Sequence, residues 1–431
     1  MPAEPIPAPL TAACEQVRAA TPADAVAGVT PSYVASPGSV AEASAVMTAA
    51  AGLGLAVLPR GTGTRLAWGA PPRRCDLVVD TLRLDRVLEH EAGDLVTRVQ
   101  AGVTIEQLAS VVGAAGQQLA LDLPEPGDGG GRGTVGGVLA TGVAGPRRLR
   151  YGTPRDLAIG ITVVLADGTV AHSGGKVVKN VAGYDLGKLF AGSYGTLGLI
   201  TELAFRLHPV PGAACFVLCD CDGAAAAQET MAAAAGSPLA PSAAEIDRPA
   251  RGGPFRAAIL IEGDPAGTGE RAAQLRDLLG PGAEVSAAEP SWWGRSAVAA
   301  ADATLVRISF WAGELAAVIE ALDAAAGAAG IDPAIGGAAA AGVIYAAIPA
   351  AAAPAAVAQF VSALRAMPPL GPAGQDGPPT RGSVVVLHAP PPVRDAVDVW
   401  GPAPAEGLMR ALKDQFDPGH RMAPGRFAGG I

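Results

Sequence analysis

Three glycine-rich stretches in the first half of the chain carry the residue types that could do chemistry. The first, at 59–64, reads Pro-Arg-Gly-Thr-Gly-Thr and directly follows an apolar run. Its two glycines can take positive φ, so that consecutive backbone N–H groups point to one side and bind an anion. The threonine hydroxyls would add hydrogen-bond donors, and Arg60 would add positive charge. The stretch therefore predicts a phosphate- or pyrophosphate-binding loop, with a tight structural turn as the alternative.

The second stretch, at 127–142, contains three glycines at the spacing G-x-G-x-x-G that dinucleotide-binding proteins use. That fingerprint must leave a strand and open a helix inside a βαβ unit, whereas a proline-containing segment, 121–126, precedes it here. We therefore reject the dinucleotide interpretation. The glycines would instead let the backbone lie close against a flat or polar group, with Arg147 and Arg148 behind them.

The third stretch, at 174–198, concentrates residue types that the chain otherwise avoids. The whole chain has four lysines and one asparagine, and Lys176, Lys179, Asn180 and Lys188 all lie here. Lysine and arginine are not interchangeable where hydrogen-bond geometry matters. The clustering therefore indicates a site with specific geometry, and chance clustering is the alternative.

The elements predicted around these stretches alternate between helix and strand. Capping boxes at 39–42 and 104–107 predict two helix starts, and turns at 91–94 and 167–168 predict two β-hairpins. Strands are predicted at 55–59, 86–90, 95–101, 158–165, 169–172 and 198–207. This mixture of hairpins and helices favours an α+β fold over a doubly wound parallel sheet.

After a linker at 208–211 the pattern predicts a second α+β region without a repeat of fixed period. Strands are predicted at 216–220, 257–262, 305–311, 342–348 and 383–389, with alanine-rich helices between them, one of which is at 355–367. The segment 333–364 carries no charge, but it consists largely of alanine, glycine and proline. Membrane insertion depends on long runs of larger apolar residues, so this segment is not predicted to span a membrane.

Composition excludes several classes of function. The 431 residues carry a net charge of −9 at pH 7, which argues against nucleic-acid binding and against a polybasic membrane contact. No signal peptide is expected, because the N-terminus lacks a basic start and an apolar core. The five cysteines contain no C-x-x-C pair and the five histidines are scattered. We therefore expect a reducing compartment, no disulfide framework and no metal site; Cys215, Cys219 and Cys221 are expected to be small, buried strand residues.

Taken in order, these motifs resemble the PCMH-type FAD-binding domain of the vanillyl-alcohol-oxidase superfamily. The resemblance is carried by the runs 59–64, 136–148, 151–156, 179–185 and 192–198. Within the superfamily, the runs 140–148 and 179–185 and the tail 413–426 are similar to the smaller FAD-binding subunits of bacterial glycolate oxidases.

The resemblance implies an α+β architecture with four parts. These are an N-terminal extension at 1–30, a two-subdomain PCMH-type FAD-binding domain at 31–210, a smaller α+β (ferredoxin-like) cap domain at 211–400, and a C-terminal segment at 401–431 that packs back on the FAD-binding domain.

The resemblance also implies which residues bind FAD. The first loop would hold the pyrophosphate, the run 134–142 would line the flavin and ribityl chain, and 192–200 would complete the groove. The implied residues are Arg60, Gly61, Thr62, Gly63, Thr64, Thr134, Gly136, Gly137, Ala140, Thr141, Gly142, Gly192, Ser193, Gly195 and Ile200. No histidine or cysteine occurs in 60–64 or 127–142, so FAD is expected to bind non-covalently.

Arg148 and Lys179 are the candidates for a catalytic or tuning role. Positive charge near a flavin stabilises its anionic reduced form. The alternative for both residues is an ordinary ion pair, with Asp156 or Asp185.

The implied function is that of an FAD-binding subunit of a glycolate oxidase complex, which oxidises glycolate, a small 2-hydroxy acid, to glyoxylate. The scattered histidines lack the metal motif of related hydroxy-acid dehydrogenases. We therefore expect a sister FAD subunit to perform the substrate step and an iron–sulfur subunit to accept the electrons. The chain would be cytoplasmic and reach the inner face of the cell membrane only through the complex.

Two other functions remain open. One is a free-standing FAD-dependent oxidoreductase acting on its own alcohol or hydroxy acid, with Arg307, Tyr345 or Trp400 facing the flavin ring. The other is a non-catalytic flavoprotein scaffold.

Overall fold

Both helices and sheets build this chain, as the α+β prediction requires, and every sheet lies beside helices that cover one of its faces. The structure, a computed structural model, describes residues 5–124, 131–175, 187–295, 302–368 and 382–431. The described residues form three main sheets and one two-stranded sheet. We call residues 17–206, which carry the first two main sheets, the first domain, and residues 213–388, which carry the third, the second domain.

The first sheet combines three parallel strands with one antiparallel edge strand, in the order β1-β2-β4-β3. Its elements are α1 (Ala8–Ala13), β1 (Val17–Ala19), β2 (Tyr33–Ala35), α2 (Val40–Gly52), β3 (Val57–Arg60) and β4 (Leu77–Asp80). Helix α2 begins where predicted, because the Ser39 hydroxyl accepts a hydrogen bond from the Glu42 amide at 3.1 Å. Its apolar face packs on the sheet through Val46 and Met47, which are fully buried.

The second sheet is antiparallel, with the order β5-β6-β10-β8-β9. Its region contains β5 (Val87–Glu91), β6 (Val96–Gln100), α3 (Ile105–Gly113), β7 (Gln117–Gln118), α4 (Val135–Thr141), α5 (Arg148–Tyr151), α6 (Pro154–Leu157), β8 (Ala158–Val164), β9 (Val170–Gly174), α7 (Gly187–Phe190) and β10 (Leu199–Arg206). Both predicted hairpins are present as β5–β6 and β8–β9. Helix α3 also begins where predicted, because the Thr104 hydroxyl accepts from the Gln107 amide at 3.1 Å. At both helix starts the prediction of a full capping box is wrong, because the Glu42 carboxylate accepts from the Gly38 amide and the Gln107 side chain donates to the Asp85 carbonyl. The short strand β11 (His208–Pro209) leads out of this domain and pairs with β7.

The second domain consists of two ferredoxin-like units joined edge to edge. The first unit contains β12 (Ala213–Cys221), α8 (Gly223–Gly236), β13 (Ala243–Arg248), β14 (Phe255–Gly263), α9 (Pro265–Leu279) and β15 (Glu284–Ser286). The second contains β16 (Thr304–Ser309), α10 (Leu315–Ala329), β17 (Ala334–Gly337), β18 (Val343–Ile348), α11 (Pro354–Arg365) and β19 (Ser383–His388). Each has the βαββαβ order of the ferredoxin-like motif.

The two units form one antiparallel sheet of eight strands, in the order β15-β12-β14-β13-β17-β18-β16-β19. The join is the pair β13–β17, the second strand of each unit. Helices from both units cover one face of this sheet. The other face packs on the first domain through a cluster that includes Leu305, Tyr345 and, from the first domain, Trp68.

The C-terminal residues return to the first domain. Helix α12 (Pro391–Ala396) still packs in the core of the second domain through Val393, and the return begins with α13 (Glu406–Phe416). Beyond α13 the chain runs alongside β3, where the Val57 amide donates to the Arg421 carbonyl and the Ala423 amide donates to the Val57 carbonyl, both at 2.8 Å. The tail thus extends the first sheet by a short parallel segment, and this brings Arg426 beside the glycine-rich loops.

Candidate functional site

A cavity of about 770 Å³, counting its open part, lies between the two sheets of the first domain. Twelve of the fifteen predicted cofactor-binding residues line it together: Arg60, Gly61, Thr62, Gly63, Thr64, Thr134, Gly136, Gly137, Ala140, Thr141, Gly195 and Ile200. We call it the glycine-lined cavity.

The loop after β3 forms one wall of this cavity. Gly63 has a φ of 82° and no atom near the position of a Cβ, so its glycine is required by backbone conformation. At Gly61 no positive φ occurs, and the prediction that both glycines serve this purpose is wrong. A Cβ at Gly61 would lie 2.3 Å from Oγ1 of Thr134, so this glycine is required by close packing against the opposite wall.

Helix α4 forms the opposite wall. Its N-cap is Thr134, whose hydroxyl accepts a hydrogen bond from the Gly137 amide at 3.2 Å. Gly136 packs against Ala101, where a Cβ on the glycine would lie 2.8 Å from the alanine Cβ. Gly137 contributes backbone atoms without a side chain to the cavity wall. The wall therefore presents main-chain atoms and hydroxyl groups instead of bulky side chains, as a flat or polar ligand needs.

Three predicted residues support the cavity without lining it. Gly142 ends α4 in a left-handed conformation with a φ of 64°. The Gly192 amide donates to the Leu139 carbonyl at 2.9 Å, and the Ser193 hydroxyl donates to the Phe190 carbonyl at 2.8 Å. These contacts attach the 192–195 turn to the end of α4, which places Tyr194 and Gly195 in the cavity wall.

Arg60 contributes less charge than the sequence predicts. Its guanidinium pairs with Asp24 at 3.1 Å and with Asp80 at 3.0 Å, so its charge is already balanced by carboxylates. Hydrogen bonds from Arg18 in the first place, and from Thr21 and Arg60, keep the pKa of the Asp24 carboxyl well below its usual range. Arg60 fixes the base of the loop by these pairs.

The positive charge of the cavity comes from Arg65 and Arg426, which the sequence analysis did not single out. Their exposed fractions are 8% and 4%, and burial lowers the pKa of each to about 10, so both remain charged at pH 7. Arg65 donates to the carbonyls of Arg132 and Pro124, and Arg426 donates to the carbonyl of Leu66. No carboxylate of the described residues pairs with either, and Nη1 of Arg426 has no hydrogen-bond partner there.

Arg426 reaches the cavity because a buried ion pair holds the tail in place. Lys413 lies in the last turn of α13, and Asp417 follows the end of that helix. Nζ of Lys413 and Oδ2 of Asp417 are 2.6 Å apart, and both side chains are almost fully buried. Nζ also donates to the carbonyls of Thr196 and Met422, at 2.7 and 2.8 Å. One lysine thus ties helix α13, the 192–198 region and the tail together.

Of the two residues predicted to tune the flavin, Lys179 and Arg148, the structure describes only Arg148. Lys179 lies outside the described residues, as does Asp185. Arg148 does not line the glycine-lined cavity; it lines a smaller neighbouring cavity of about 260 Å³ between the two domains, with Tyr345 and Glu245. No ion pair joins Arg148 to Asp156, which instead accepts hydrogen bonds from the amide and hydroxyl of Thr153, both at 2.8 Å.

The residues named for a free-standing oxidoreductase lie at the same boundary between the domains. Arg307 and Tyr345 are cross-strand neighbours on β16 and β18. Trp400 packs edge-on against Tyr194, with ring centroids 4.9 Å apart, and its indole N–H donates to the Arg426 carbonyl at 3.0 Å. Trp400 therefore supports the wall that holds Tyr194 and Arg426.

Neither a metal cluster nor a membrane-spanning helix emerges from the described ranges. There, no group of three or more His, Cys, Asp or Glu side chains is arranged to hold a metal ion. In the same ranges no helix combines the length and the apolar character that crossing a bilayer requires. Cys215, Cys219 and Cys221 lie on strand β12 as free thiols, as predicted. Cys221 is buried, but Cys215 and Cys219 are only partly buried, so the prediction of burial is wrong for these two.

The part of the chain that forms most of the glycine-lined cavity is similar to a known cofactor-binding domain. Residues 31–174 match the family model of the FAD binding domain. The glycolate oxidase subunit GlcD of Bacillus subtilis is 34% identical over 220 residues, which are 51% of this chain and 46% of that protein. The glycolate oxidase subunit GlcE of Escherichia coli is 37% identical over 127 residues, or 30% of this chain and 35% of that protein.

A D-lactate dehydrogenase of Archaeoglobus fulgidus is 39% identical over 176 residues, or 41% of this chain and 38% of that protein. The similarity thus spans less than half the length of each of these relatives. Among solved structures, alkyldihydroxyacetonephosphate synthase superposes with a TM-score of 0.64 over 92% of this chain and 77% of its own, at 17% identity. At that identity the superposition establishes a shared fold.

Proposed function

Because residues 31–174 form an FAD-binding domain of the PCMH type, we propose that this chain is the FAD-binding subunit of an oxidase complex that acts on a small 2-hydroxy acid, with glycolate as its substrate. The observation that carries the proposal is the glycine-lined cavity, which lies mainly within the matched domain and has the walls that FAD needs. Bound FAD would supply the two-electron acceptor for the oxidation of the hydroxyl-bearing carbon.

The residues of the cavity fit FAD. Bare backbone at Gly61 and Gly137 leaves room that a Cβ would reduce, and the hydroxyls of Thr62 and Thr64 lie 2.7 Å from each other at the loop tip. We propose that the loop after β3 binds the pyrophosphate of FAD and that helix α4 lies against the flavin. Arg65 and Arg426 would supply positive charge that favours the reduced, anionic cofactor. Among the described residues no histidine or cysteine lines the cavity, so we expect non-covalent binding.

The names of the similar proteins support the substrate class. GlcD and GlcE are glycolate oxidase subunits, and other relatives are named as D-lactate and D-2-hydroxyglutarate dehydrogenases. Glycolate, lactate and 2-hydroxyglutarate are all 2-hydroxy acids. The word subunit in the names of GlcD and GlcE supports a complex. We propose that its other members are a second FAD subunit and an iron–sulfur subunit, and that the complex attaches this chain to the inner face of the cell membrane.

Purification of the tagged chain from its own host tests the proposal. The expected result is a complex that contains about one FAD per copy of this chain, a second flavoprotein and iron, and that reduces a dye when glycolate is added. A chain that purifies alone with FAD would contradict the complex. A chain that takes up no FAD on reconstitution would contradict the function as a whole.

A further inference from the structure

Side chains of both domains form a cationic cluster beside the glycine-lined cavity. Arg307 and Tyr345 lie opposite each other on β16 and β18, on the sheet face that packs on the first domain. Arg148 approaches from helix α5 of the first domain, close enough to interact electrostatically with both. We call Arg148, Arg307 and Tyr345 the interdomain cluster.

The polar groups of this cluster have no partners within the described part of the chain. Arg148 and Arg307 make no ion pair and no side-chain hydrogen bond there, and Nε of Arg307 is buried without a partner. Tyr345 is 6% exposed, and its hydroxyl likewise has no partner in those ranges. Native proteins hydrogen-bond nearly all of their buried polar groups, and Nε of Arg307 departs from this rule. Arg148 and Arg307 are partly buried, and their remaining N–H groups, with the Tyr345 hydroxyl, are donors that a ligand could use.

Two acids lie near the cluster without pairing with its arginines. Glu245 lines the same small cavity, and its Oε2 accepts a hydrogen bond from the Gly294 amide at 2.7 Å. Asp122 interacts electrostatically with Arg148 and Tyr345, and its Oδ2 accepts from the Arg147 amide at 2.7 Å. Within the described residues neither carboxylate forms an ion pair with Arg148 or Arg307, so both guanidinium groups keep N–H donors for a ligand.

The cluster lies next to the wall that we assign to FAD. Tyr194 lines the glycine-lined cavity and interacts electrostatically with Arg307, Arg426 and Tyr345. An anion held by the cluster would therefore lie at the boundary between the domains, close to the cofactor. Guanidinium groups bind carboxylates through paired N–H donors, and a phenol adds one more donor.

We propose that Arg148, Arg307 and Tyr345 bind the carboxylate of the 2-hydroxy acid, so that this chain holds the substrate itself. The inference rests on the proposed function for its choice of ligand. It differs from the division of labour expected from the sequence, in which a sister subunit performs the substrate step. The second domain is then part of the substrate site, through one arginine and one tyrosine of neighbouring strands.

Oxalate is the probe for this site, because it carries carboxylates and has no oxidisable hydroxyl-bearing carbon. The FAD-loaded chain is titrated with oxalate while the flavin absorbance and the thermal midpoint are recorded. We expect a saturable perturbation of the flavin spectrum and a rise in the thermal midpoint. Arg307→Met and Arg148→Met should each raise the oxalate dissociation constant tenfold or more, and Tyr345→Phe about threefold or more.

Arg256→Met is the matched control. Arg256 lies on β14 of the same sheet, is partly exposed and pairs with Asp247 and the Trp292 ring, so its loss should leave oxalate binding unchanged. An oxalate dissociation constant within twofold of the wild type in Arg307→Met and Arg148→Met would overturn the inference. If these variants lose FAD or fold poorly, Tyr345→Phe decides by the same criterion, since it keeps the shape of the side chain.

The outcome is separable from that of the proposed function. A chain that binds FAD and joins its complex but responds to no oxalate would overturn the inference alone. If the chain binds no FAD, the thermal shift with oxalate still tests the site. A thermal shift with inorganic phosphate and none with oxalate or glycolate would overturn the assignment to a carboxylate.

Discussion

Gly61 and Thr134 face each other across the glycine-lined cavity so closely that a Cβ on Gly61 would lie 2.3 Å from the threonine Oγ1. Gly61 lies in the loop after β3, and Thr134 is the N-cap of helix α4, so their contact fixes the distance between the cavity walls. Any side chain at position 61 has to push Thr134 away, and Thr134 caps helix α4.

Replacing Gly61 with alanine should therefore weaken FAD binding at least tenfold, because the two walls separate and α4 loses its N-cap, which alone stabilises a helix by roughly 1 kcal/mol. The measurement is the FAD dissociation constant from flavin fluorescence during reconstitution. Gly93→Ala is the control, because Gly93 is exposed and nothing lies near its Cβ position. Equal affinity in Gly61→Ala and Gly93→Ala would refute the close-packing account.

Replacing Arg426 with methionine should make the flavin reduction potential more negative. Arg426 is buried in the cavity wall and remains charged at pH 7 despite its lowered pKa, so it favours the anionic reduced flavin. A shift of roughly 30 mV for the two-electron couple corresponds to about 1.4 kcal/mol, and we expect at least this size in a spectroelectrochemical titration. Arg74→Met removes the same charge from an exposed pair with Asp76 and should leave the potential unchanged.

Local signals in the sequence predict much of the first domain. The α+β fold and the FAD cofactor are confirmed, and the capped helices α2 and α3 begin at Ser39 and Thr104 as predicted. The two helix starts depend on hydrogen bonds between neighbours in the chain, the fold class on the order of hairpins and helices, and the cofactor on the resemblance to a known family. The glycine-rich loops likewise carry their own signal, because a bare backbone is visible in the composition.

Contacts between distant residues explain what the sequence does not predict. Strands β13 and β17 contain alanine and glycine where β-branched residues would mark a strand, and they form because each pairs with strands on both sides. The join between them creates the two-unit sheet of the second domain. Arg65 and Arg426 are more than three hundred residues apart, so no spacing rule relates them, and the ion pairs that balance Arg60 involve acids 36 and 20 residues away.

Replacing Lys413 with methionine should detach the C-terminal tail. Removing one partner of a buried ion pair costs about 3–5 kcal/mol, and here the lysine also donates to two carbonyls. We expect a large loss in the free energy of unfolding, measured in urea, together with weaker FAD binding because Arg426 leaves the cavity. Arg276→Met breaks an exposed pair with Asp277 on helix α9, away from the tail, and should cost less than about 1 kcal/mol. Similar losses in both variants would contradict the buried tie.

The Asp122 carboxyl should make the stability of this protein depend on pH. Burial raises the pKa of Asp122 to about 7, an effect that the Arg147 amide and guanidinium only partly offset. An acid whose pKa is raised on folding contributes stability below its unfolded pKa, near 4, and loses it as pH rises through 7. Asp122→Asn keeps an acceptor for the Arg147 amide without the charge, so its stability advantage over the wild type should be larger at pH 8 than at pH 5.

The difference between the thermal midpoints of Asp122→Asn and the wild type measures this effect. It should widen by roughly 3–6 °C between pH 5 and pH 8, the size that 1–2 kcal/mol has in domains of this length. Asp94→Asn is the control, since Asp94 is exposed in the turn before β6 and its difference should stay constant with pH. A constant difference for Asp122→Asn as well would mean that the carboxyl is ionised at no cost in the folded chain, and that water reaches the loop between the two domains.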